Sequence, residues 1–282
     1  MKCVWCGKAG KKIFYARVRW EKLDSKWYRC GTCSSLMILP RPSKKLIAQV
    51  YENDYRDKKL QPHAGVDNRI RYSKEYRPTV FAEYALSLAD LGIQKVGVTS
   101  VLDFGCADGV FLEFCKEYFN ADTKLYGTDL SEGMLEQARK NGWNVISLSE
   151  IGKLKRTFDL ITLWDVIEHV EDPGTVISQL KKLLSPKGRI VIQTPRFGLL
   201  GEFAGEHWPH LLPVQHLSVA SKEGMQKCIR RAGFAIEAHS SFGANAPSTA
   251  VAQPYKRVFD QLAKKLDFGD VQILSMRRKM KS

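Results

Sequence analysis

Between residues 99 and 194 the chain alternates two hydrophobic rhythms. Short apolar runs at 99–104, 124–128, 143–147, 158–164 and 189–194 have the length of buried strands. Between them, 108–119, 131–140 and 173–184 repeat their apolar residues at the spacing of a helix with one buried face. Strands and helices alternating in this way predict an α/β fold, a mainly parallel sheet covered on both faces with its ligand at the C-terminal strand ends. Further along, 221–232 reads as a helix, 234–240 as a strand, 254–266 as a helix with Val258, Leu262 and Leu266 on one face, and 271–277 as a final strand. Upstream, 44–56 reads as a short helix and 57–75 as an exposed loop. Val80, Phe81, Tyr84, Ala85, Leu88 and Leu91 then recur at helical spacing across 72–91.

The stretch Val101-Leu-Asp-Phe-Gly-Cys-Ala-Asp-Gly-Val-Phe-Leu112 carries a strand into a glycine turn and on into a helix. Asp103, Gly105 and Gly109 leave bare backbone beside a helix N-terminus, which suits a small ligand that must come close. The dinucleotide pattern G-x-G-x-x-G is missing, because Cys106, Ala107 and Asp108 separate Gly105 from Gly109. The next strand ends in Asp129, and a carboxylate at that tip is the usual partner of two ribose hydroxyls. Asp103 and Asp108 repel phosphates but suit a cationic ligand such as a sulfonium.

These residues carry a family resemblance. VLDFGCADGVFL, YGTDLSEGMLEQAR, FDLITLWDVIEHVEDP and LLSPKGRIVIQTP resemble, in order and at ordinary spacing, the successive motifs of class I S-adenosylmethionine-dependent methyltransferases. The resemblance covers roughly residues 98 to 277 and departs at Ala107, where many members carry a middle glycine. It implies a Rossmann-like seven-stranded sheet in 98–282, with S-adenosylmethionine held by Asp103, Gly105, Cys106, Asp108, Gly109, Asp129, Leu130 and Trp164. Adenine is expected against the loop 148–151, where Glu150 or Ser149 accepts its amino group. A helix like 72–91 commonly covers the cofactor in this superfamily, which makes Tyr72 and Arg77 lid residues.

The 282 residues suffice for one full core and a small second module. No stretch approaches a membrane span and the N-terminus lacks an apolar leader core, so a soluble cytoplasmic protein is expected, with cysteines as metal ligands or buried thiols. Cys3-x-x-Cys6 and Cys30-x-x-Cys33 form two knuckles able to place four thiolates about 2.3 Å from a zinc ion. A closed four-thiolate set leaves no open position, so the zinc is structural. Residues 1–43 are then a zinc ribbon and 44–97 a linker with cap helices. The run Leu36-Met-Ile-Leu-Pro-Arg-Pro-Ser43 with Tyr51, Asp54 and Tyr55 looks like the linker after zinc ribbons in a bacterial methyltransferase group whose members often modify sugars and small metabolites. The net charge of +14 divides into +11 over 1–75, −2 over 76–254 and +5 over 255–282. The basic ends either attract an anionic or carrier-linked partner, a glycan precursor or a nucleic acid, or simply keep the surface solvated.

Methyl transfer needs an aligned acceptor and, for a hydroxyl, a base. His169, in Trp164-Asp-Val-Ile-Glu-His169, follows a strand end on the acceptor side and is the first candidate base. The insert 196–219 carries Phe197, Phe203, His207, Trp208, His210 and His216, side chains that suit an acceptor lid. His216 resembles a recurrent histidine of the group, as second base or structural anchor. Asp165, Glu168, His169 and His216 together resemble the divalent-ion site of RNA 2′-O-methyltransferases acting at small-RNA ends. The reading that follows is a methyltransferase acting on a hydroxyl of a small metabolite, sugar or glycan precursor. The alternatives are an RNA methyltransferase docking through the basic ribbon region and a non-catalytic zinc-ribbon adaptor.

Overall fold

The computed structural model describes residues 2–18, 23–49, 73–243 and 253–279, with only the backbone of 253–257. Tyr72, Tyr51, Asp54, Tyr55 and most of the expected loop 57–75 lie outside the described residues. In order, the elements are β1 (Lys12–Arg17), β2 (Lys26–Cys30), β3 (Leu36–Leu39), α1 (Lys44–Gln49), α2 (Arg77–Asp90), β4 (Ser100–Phe104), α3 (Val110–Tyr118), β5 (Lys124–Asp129), α4 (Glu132–Lys140), β6 (Val145–Ser147) and β7 (Phe158–Trp164). They continue with α5 (Pro173–Leu183), β8 (Leu184–Phe197), α6 (Leu199–Ala204), β9 (Ser218–Ser221), α7 (Lys222–Arg231), β10 (Phe234–Phe242), α8 (Gln253–Leu266) and β11 (Val271–Arg278).

Helix starts follow capping chemistry. Ser131 accepts from the Met134 amide at 3.4 Å and Ser221 from the Gly224 amide at 2.9 Å. Asp172 accepts from Gly174 at 3.0 Å ahead of Pro173, which needs no amide partner at the first helical position.

The central strands run in the order β6-β5-β4-β7-β8, all parallel; β11 pairs antiparallel with β8, and β10 with β11. Pleating sends neighbouring residues to opposite faces. Leu102, Ile161, Ile192 and Leu274 meet Ile177 and Leu180 of α5 and Met225 and Ile229 of α7. On the other face Val101, Leu160, Val191 and Ile273 meet Leu88 of α2 and Phe111, Phe114 and Cys115 of α3. Both faces are covered, so the strands read as nearly unbroken apolar runs.

The expected seven strands are present, but among the described residues the sheet has eleven. Strand β8 runs well past residue 194, and its far end pairs with β9 at Arg196↔Ala220 and Phe197↔Ser221. Strand β9 pairs with β3 at Leu36↔Val219 and Met37↔Ser218, and β3 continues through β2 to β1. The N-terminal strands therefore extend the same sheet. The join is dry: Trp27, Leu36, Ile38, Phe197, Trp208, Leu217 and Val219 form one buried cluster. Strand β9 escaped the sequence reading because four residues are too short for a periodic signal.

Trp27 is fully buried at the centre of this join. Trp27→Ala is expected to cost about 3–5 kcal/mol and to keep a single unfolding transition, because the cluster spans both parts. Calorimetry showing a separate early transition of the N-terminal strands would contradict the continuous core.

Candidate active site

The carboxyl ends of β4, β5 and β7 open into a cavity of about 310 Å³, within the usual size of a small-molecule site. Asp103, Gly105, Cys106, Asp108, Asp129, Leu130, Trp164 and His169 all line it. Gly105 and Gly109 hold φ of +87° and +94°. A Cβ on Gly105 would meet Val166 at 2.4 Å and one on Gly109 the Trp143 indole at 2.3 Å, so both positions are restricted to glycine by conformation and by space.

The turn is tied to the next loop by hydrogen bonds. The Gly105 and Cys106 amides donate to the Thr128 carbonyl at 2.7 and 3.0 Å, and the Ala107 amide donates to Asp129 Oδ2 at 2.9 Å. Asp129 Oδ1 accepts from Ser131 N at 2.9 Å. Each oxygen keeps acceptor capacity for a ligand hydroxyl. Burial pushes the Asp129 carboxyl above its ordinary range. It pushes Asp103 up to about 7, an effect opposed by the hydrogen bond from Thr162 Oγ1 at 2.8 Å and reinforced by the charge of Asp129. Two desolvated acids flanking a cavity attract a cation.

At the other end, His169 borders the cavity with its side chain 16% exposed. Its Nδ1 lies 2.8 Å from the Gln215 carbonyl, which can only accept, so Nδ1 carries the proton and Nε2 the lone pair. Burial lowers its pKa to about 4, leaving a neutral ring at neutral pH.

His216 is fully buried behind His169 and does not line the cavity. Its Nδ1 donates to the His210 carbonyl at 2.8 Å, and the two imidazole rings meet edge to face at 4.9 Å. Both Nε2 atoms turn toward Glu168 Oε1, at 3.6 Å from His169 and 3.9 Å from His216. That oxygen has no hydrogen-bond partner among the described residues. The other oxygen accepts from Thr194 Oγ1 at 2.9 Å. Burial, with the nearby Asp165 charge, raises the Glu168 carboxyl well above its ordinary range. The three donor atoms lie within 4.8 Å of one another and could hold a cation. Asp165 instead accepts from Gln193 Nε2 at 3.3 Å.

Several expected residues sit elsewhere. Arg77 pairs with Glu113 at the mouth of a separate surface groove, because it opens α2 on the side away from the cavity. It is not a lid. Glu150 is exposed and does not line the cavity; Leu148 and Ile151 on either side of it do. Tyr72 lies outside the described residues. Of the insert, Gln215 alone lines the cavity. Phe197 and Trp208 are buried against the N-terminal strands, while Phe203 and His207 face solvent. The apolar lid expected from the insert comes instead from Ile47 of α1 and from Val80 and Tyr84 of α2. Tyr84 packs on Trp164 at 4.8 Å and Phe111 at 4.9 Å. Val80 and Tyr84 belong to the apolar stripe of the helix 72–91, of the kind that commonly covers the cofactor in the superfamily it resembles. The buried Trp164 indole N–H has no partner among the described residues.

The four N-terminal cysteines come together. Cys3 and Cys33 sulfurs lie 3.7 Å apart, Cys6 and Cys30 3.8 Å, and all four sit within 4.8 Å of one another. Sulfurs bonded to one tetrahedral zinc are spaced at about this distance, so the donor set fits the metal. No helix among the described residues is long and apolar enough to cross a membrane.

A methyltransferase-domain family model matches residues 73–239. The ubiquinone biosynthesis O-methyltransferase of Nitrosococcus oceani is 29% identical over 126 residues, covering 40% of this chain and 52% of the relative. That of Idiomarina loihiensis is 30% identical over 120 residues, covering 38% and 48%. The chain thus spans about half the length of the curated relatives it matches. The magnesium protoporphyrin IX methyltransferase of Synechocystis PCC 6803, solved with bound S-adenosylhomocysteine, superimposes with a TM-score of 0.55 at 19% identity, over 84% of this chain and 100% of that one. An S-adenosylmethionine-dependent methyltransferase from Mesorhizobium loti gives 0.50 at 24% identity, over 70% and 98%. Both likenesses establish a shared fold.

Ala107 holds a φ of +47°, the left-handed region that costs a residue with a Cβ about 1–2 kcal/mol. Ala107→Gly is expected to stabilise the protein by about 0.5–1 kcal/mol in urea unfolding, after the entropy that glycine adds to the unfolded chain. A loss of stability would mean that the alanine methyl packs in a way that outweighs the strain.

Proposed function

Because the chain belongs to the methyltransferase-domain family and has the class I fold of S-adenosylmethionine-dependent methyltransferases, we propose that it methylates a hydroxyl group of a small molecule, with His169 as the base. The observation that carries this reading is one continuous cavity with the Asp129 carboxylate at one end and the neutral His169 imidazole at the other. S-adenosylmethionine, when bound, supplies an electrophilic methyl group on a cationic sulfur.

The chain's residues do the rest. Asp129, fixed by the Ala107 and Ser131 amides, accepts the two ribose hydroxyls. Leu148, Ile151 and Leu130 supply apolar contacts for an adenine ring. Asp103 offers a buried negative charge to the cationic end of the ligand. Tyr84, Trp164 and Ile47 make an apolar wall that aligns the acceptor and excludes water. His169 Nε2 takes the acceptor's proton, and the Nδ1 bond to Gln215 stabilises the imidazolium that results. The relatives named as O-methyltransferases support oxygen as the methylated atom. The apolar wall favours an acceptor with an aromatic or aliphatic body over a bare sugar.

One metal completes the reading, and a second belongs to an alternative to it. Cys3, Cys6, Cys30 and Cys33 hold a structural zinc ion, supported by their tetrahedral spacing and complete burial. A second reading gives Glu168, His169 and His216 a divalent cation, favoured by the approach of their three donor atoms to within 4.8 Å of one another. A cation there would acidify an acceptor hydroxyl and replace His169 as the means of removing its proton.

Calorimetric titration with S-adenosylhomocysteine tests the cofactor site, and Asp129→Ala is expected to weaken binding by about tenfold or more. Unchanged affinity would move the site. Ionised Asp103 favours a cationic ligand, so affinity for S-adenosylmethionine is expected to fall as pH drops through about 7, by up to about tenfold per pH unit for one linked proton. Asp103→Asn flattens that profile; a flat profile in the unmodified protein contradicts the role. Metal analysis is expected to find one tightly held zinc, lost in Cys30→Ser. Magnesium or manganese titration that leaves the His169 and His216 imidazole signals unshifted removes the second reading.

A further inference from the structure

We infer that the N-terminal knuckle is the mount of the acceptor side of the cavity, with Ser35 and Ser221 as positioning residues for His169. The inference rests on the proposed role of His169 and on the four-thiolate zinc site.

The connection runs through named bonds. Ser35 Oγ lies 3.4 Å from Cys33 Sγ and accepts the Ser221 amide at 3.0 Å. With Cys33 as a thiolate, the Ser35 hydroxyl donates to the sulfur while accepting from Ser221, so both ends of its bonding are satisfied. The Ser221 hydroxyl in turn donates to the Cys33 carbonyl and caps α7 by accepting from Gly224. Ser35 is completely buried, and Ser221 nearly so. Room for this junction exists only because residue 224 is glycine: a Cβ there would meet Ser35 Oγ at 2.0 Å.

From this junction β9 leads straight to the catalytic end. β3 pairs with β9, and the Ile38 amide donates to the Leu217 carbonyl at 3.2 Å. The Leu217 and Ser218 amides both donate to the Glu168 carbonyl, at 2.9 and 3.2 Å. Two residues before Leu217, the Gln215 carbonyl fixes His169 Nδ1. The backbone of this segment is strained. Val214, β-branched and fully buried, holds a φ of +71°. A bulky residue stays in that region only where its surroundings over-determine it. The His216 amide closes the turn around it by donating to the Leu212 carbonyl at 2.9 Å, and on the C-terminal side the segment is held by the Glu168 carbonyl and the strand pairing that runs to the knuckle. When the Ser35 link is broken, Val214 relaxes toward negative φ, and the Gln215 carbonyl leaves His169 without its tautomer-fixing partner. The cofactor end has no such dependence, because Asp103, Gly105 and Asp129 hang on β4 and β5, near the other edge of the sheet.

The test is Ser35→Ala in the full chain, labelled with ¹⁵N-histidine. Zinc content and S-adenosylhomocysteine affinity are expected to stay within about twofold of the unmodified protein. The His169 Nδ1–H resonance is expected to be lost to solvent exchange, and the Leu217 and Ser218 amides to exchange about tenfold faster or more, with β4 amides unaffected. An unchanged imidazole resonance and unchanged amides overturn the inference. So does loss of β4 protection and cofactor binding together with β9, which would indicate general unfolding. If Ser35→Ala does not fold, the unmodified protein treated with a zinc chelator decides the matter. Protection lost at Leu217 and Ser218 ahead of β4 supports the mount, and simultaneous loss overturns it. Failure of the unmodified protein to bind S-adenosylhomocysteine would count against the cofactor reading alone, since the resonance and exchange measurements need no ligand.

Discussion

The hydrogen bond from the Ala107 amide to the Asp129 carboxylate ties together the two loops on which the cofactor end of the molecule depends. It is possible only because β4 and β5 are parallel and in register, with Asp103 opposite Gly127 and Phe104 opposite Thr128. The bond sets conditions on the residues around it. The backbone must turn left-handed at Gly105, Ala107 and Gly109, and Gly127 must lack a side chain, since a Cβ there would meet the Cys106 sulfur at 2.5 Å. An acid exists on each side of the turn, both desolvated, in a cavity with an otherwise largely apolar wall. That combination discriminates for a cation bearing hydroxyl groups and against phosphate.

The His169 end of the cavity is built by a different principle. His169 follows β7, but the carbonyl that orients its ring comes from Gln215, 46 residues later in sequence. The segment carrying Gln215 is stitched to the N-terminal strands and to the backbone of Glu168. The four cysteines of the N-terminal strands are thereby connected through backbone pairing to a segment that lines the cavity. Glu168, His169 and His216 bring three donor atoms within 4.8 Å of one another at the edge of the cavity, so the protonation of each depends on the other two.

The cofactor end was legible in the sequence because its requirements are local. Glycine spacing, an acid at a strand tip and the apolar runs around them sit within one stretch of chain. The four cysteines were legible for the same reason, since two Cys-x-x-Cys pairs have few other uses in a chain of this kind. The acceptor end was not. Arg77 has the right charge and a plausible position for a lid, yet its helix turns it onto Glu113, and Val80 and Tyr84 face the cavity in its place. The insert's aromatic residues looked like a substrate lid because their composition suits one. Their partners, Trp27, Leu36 and Ile38, lie far away in sequence, and nothing in the insert itself reveals that they will bury it. The extra strand β9 and the positive φ of Val214 are also products of tertiary pairing, which overrides local preference.

The measurement that tests the account most directly is a crystal structure of the protein with S-adenosylhomocysteine bound. The account predicts the ribose hydroxyls on the Asp129 carboxylate, adenine against Leu130, Leu148 and Ile151, and the sulfur turned toward the space between Trp164 and His169. A ligand bound with its ribose away from Asp129, or with its sulfur facing away from His169, would contradict the assignment of the cavity and of the base.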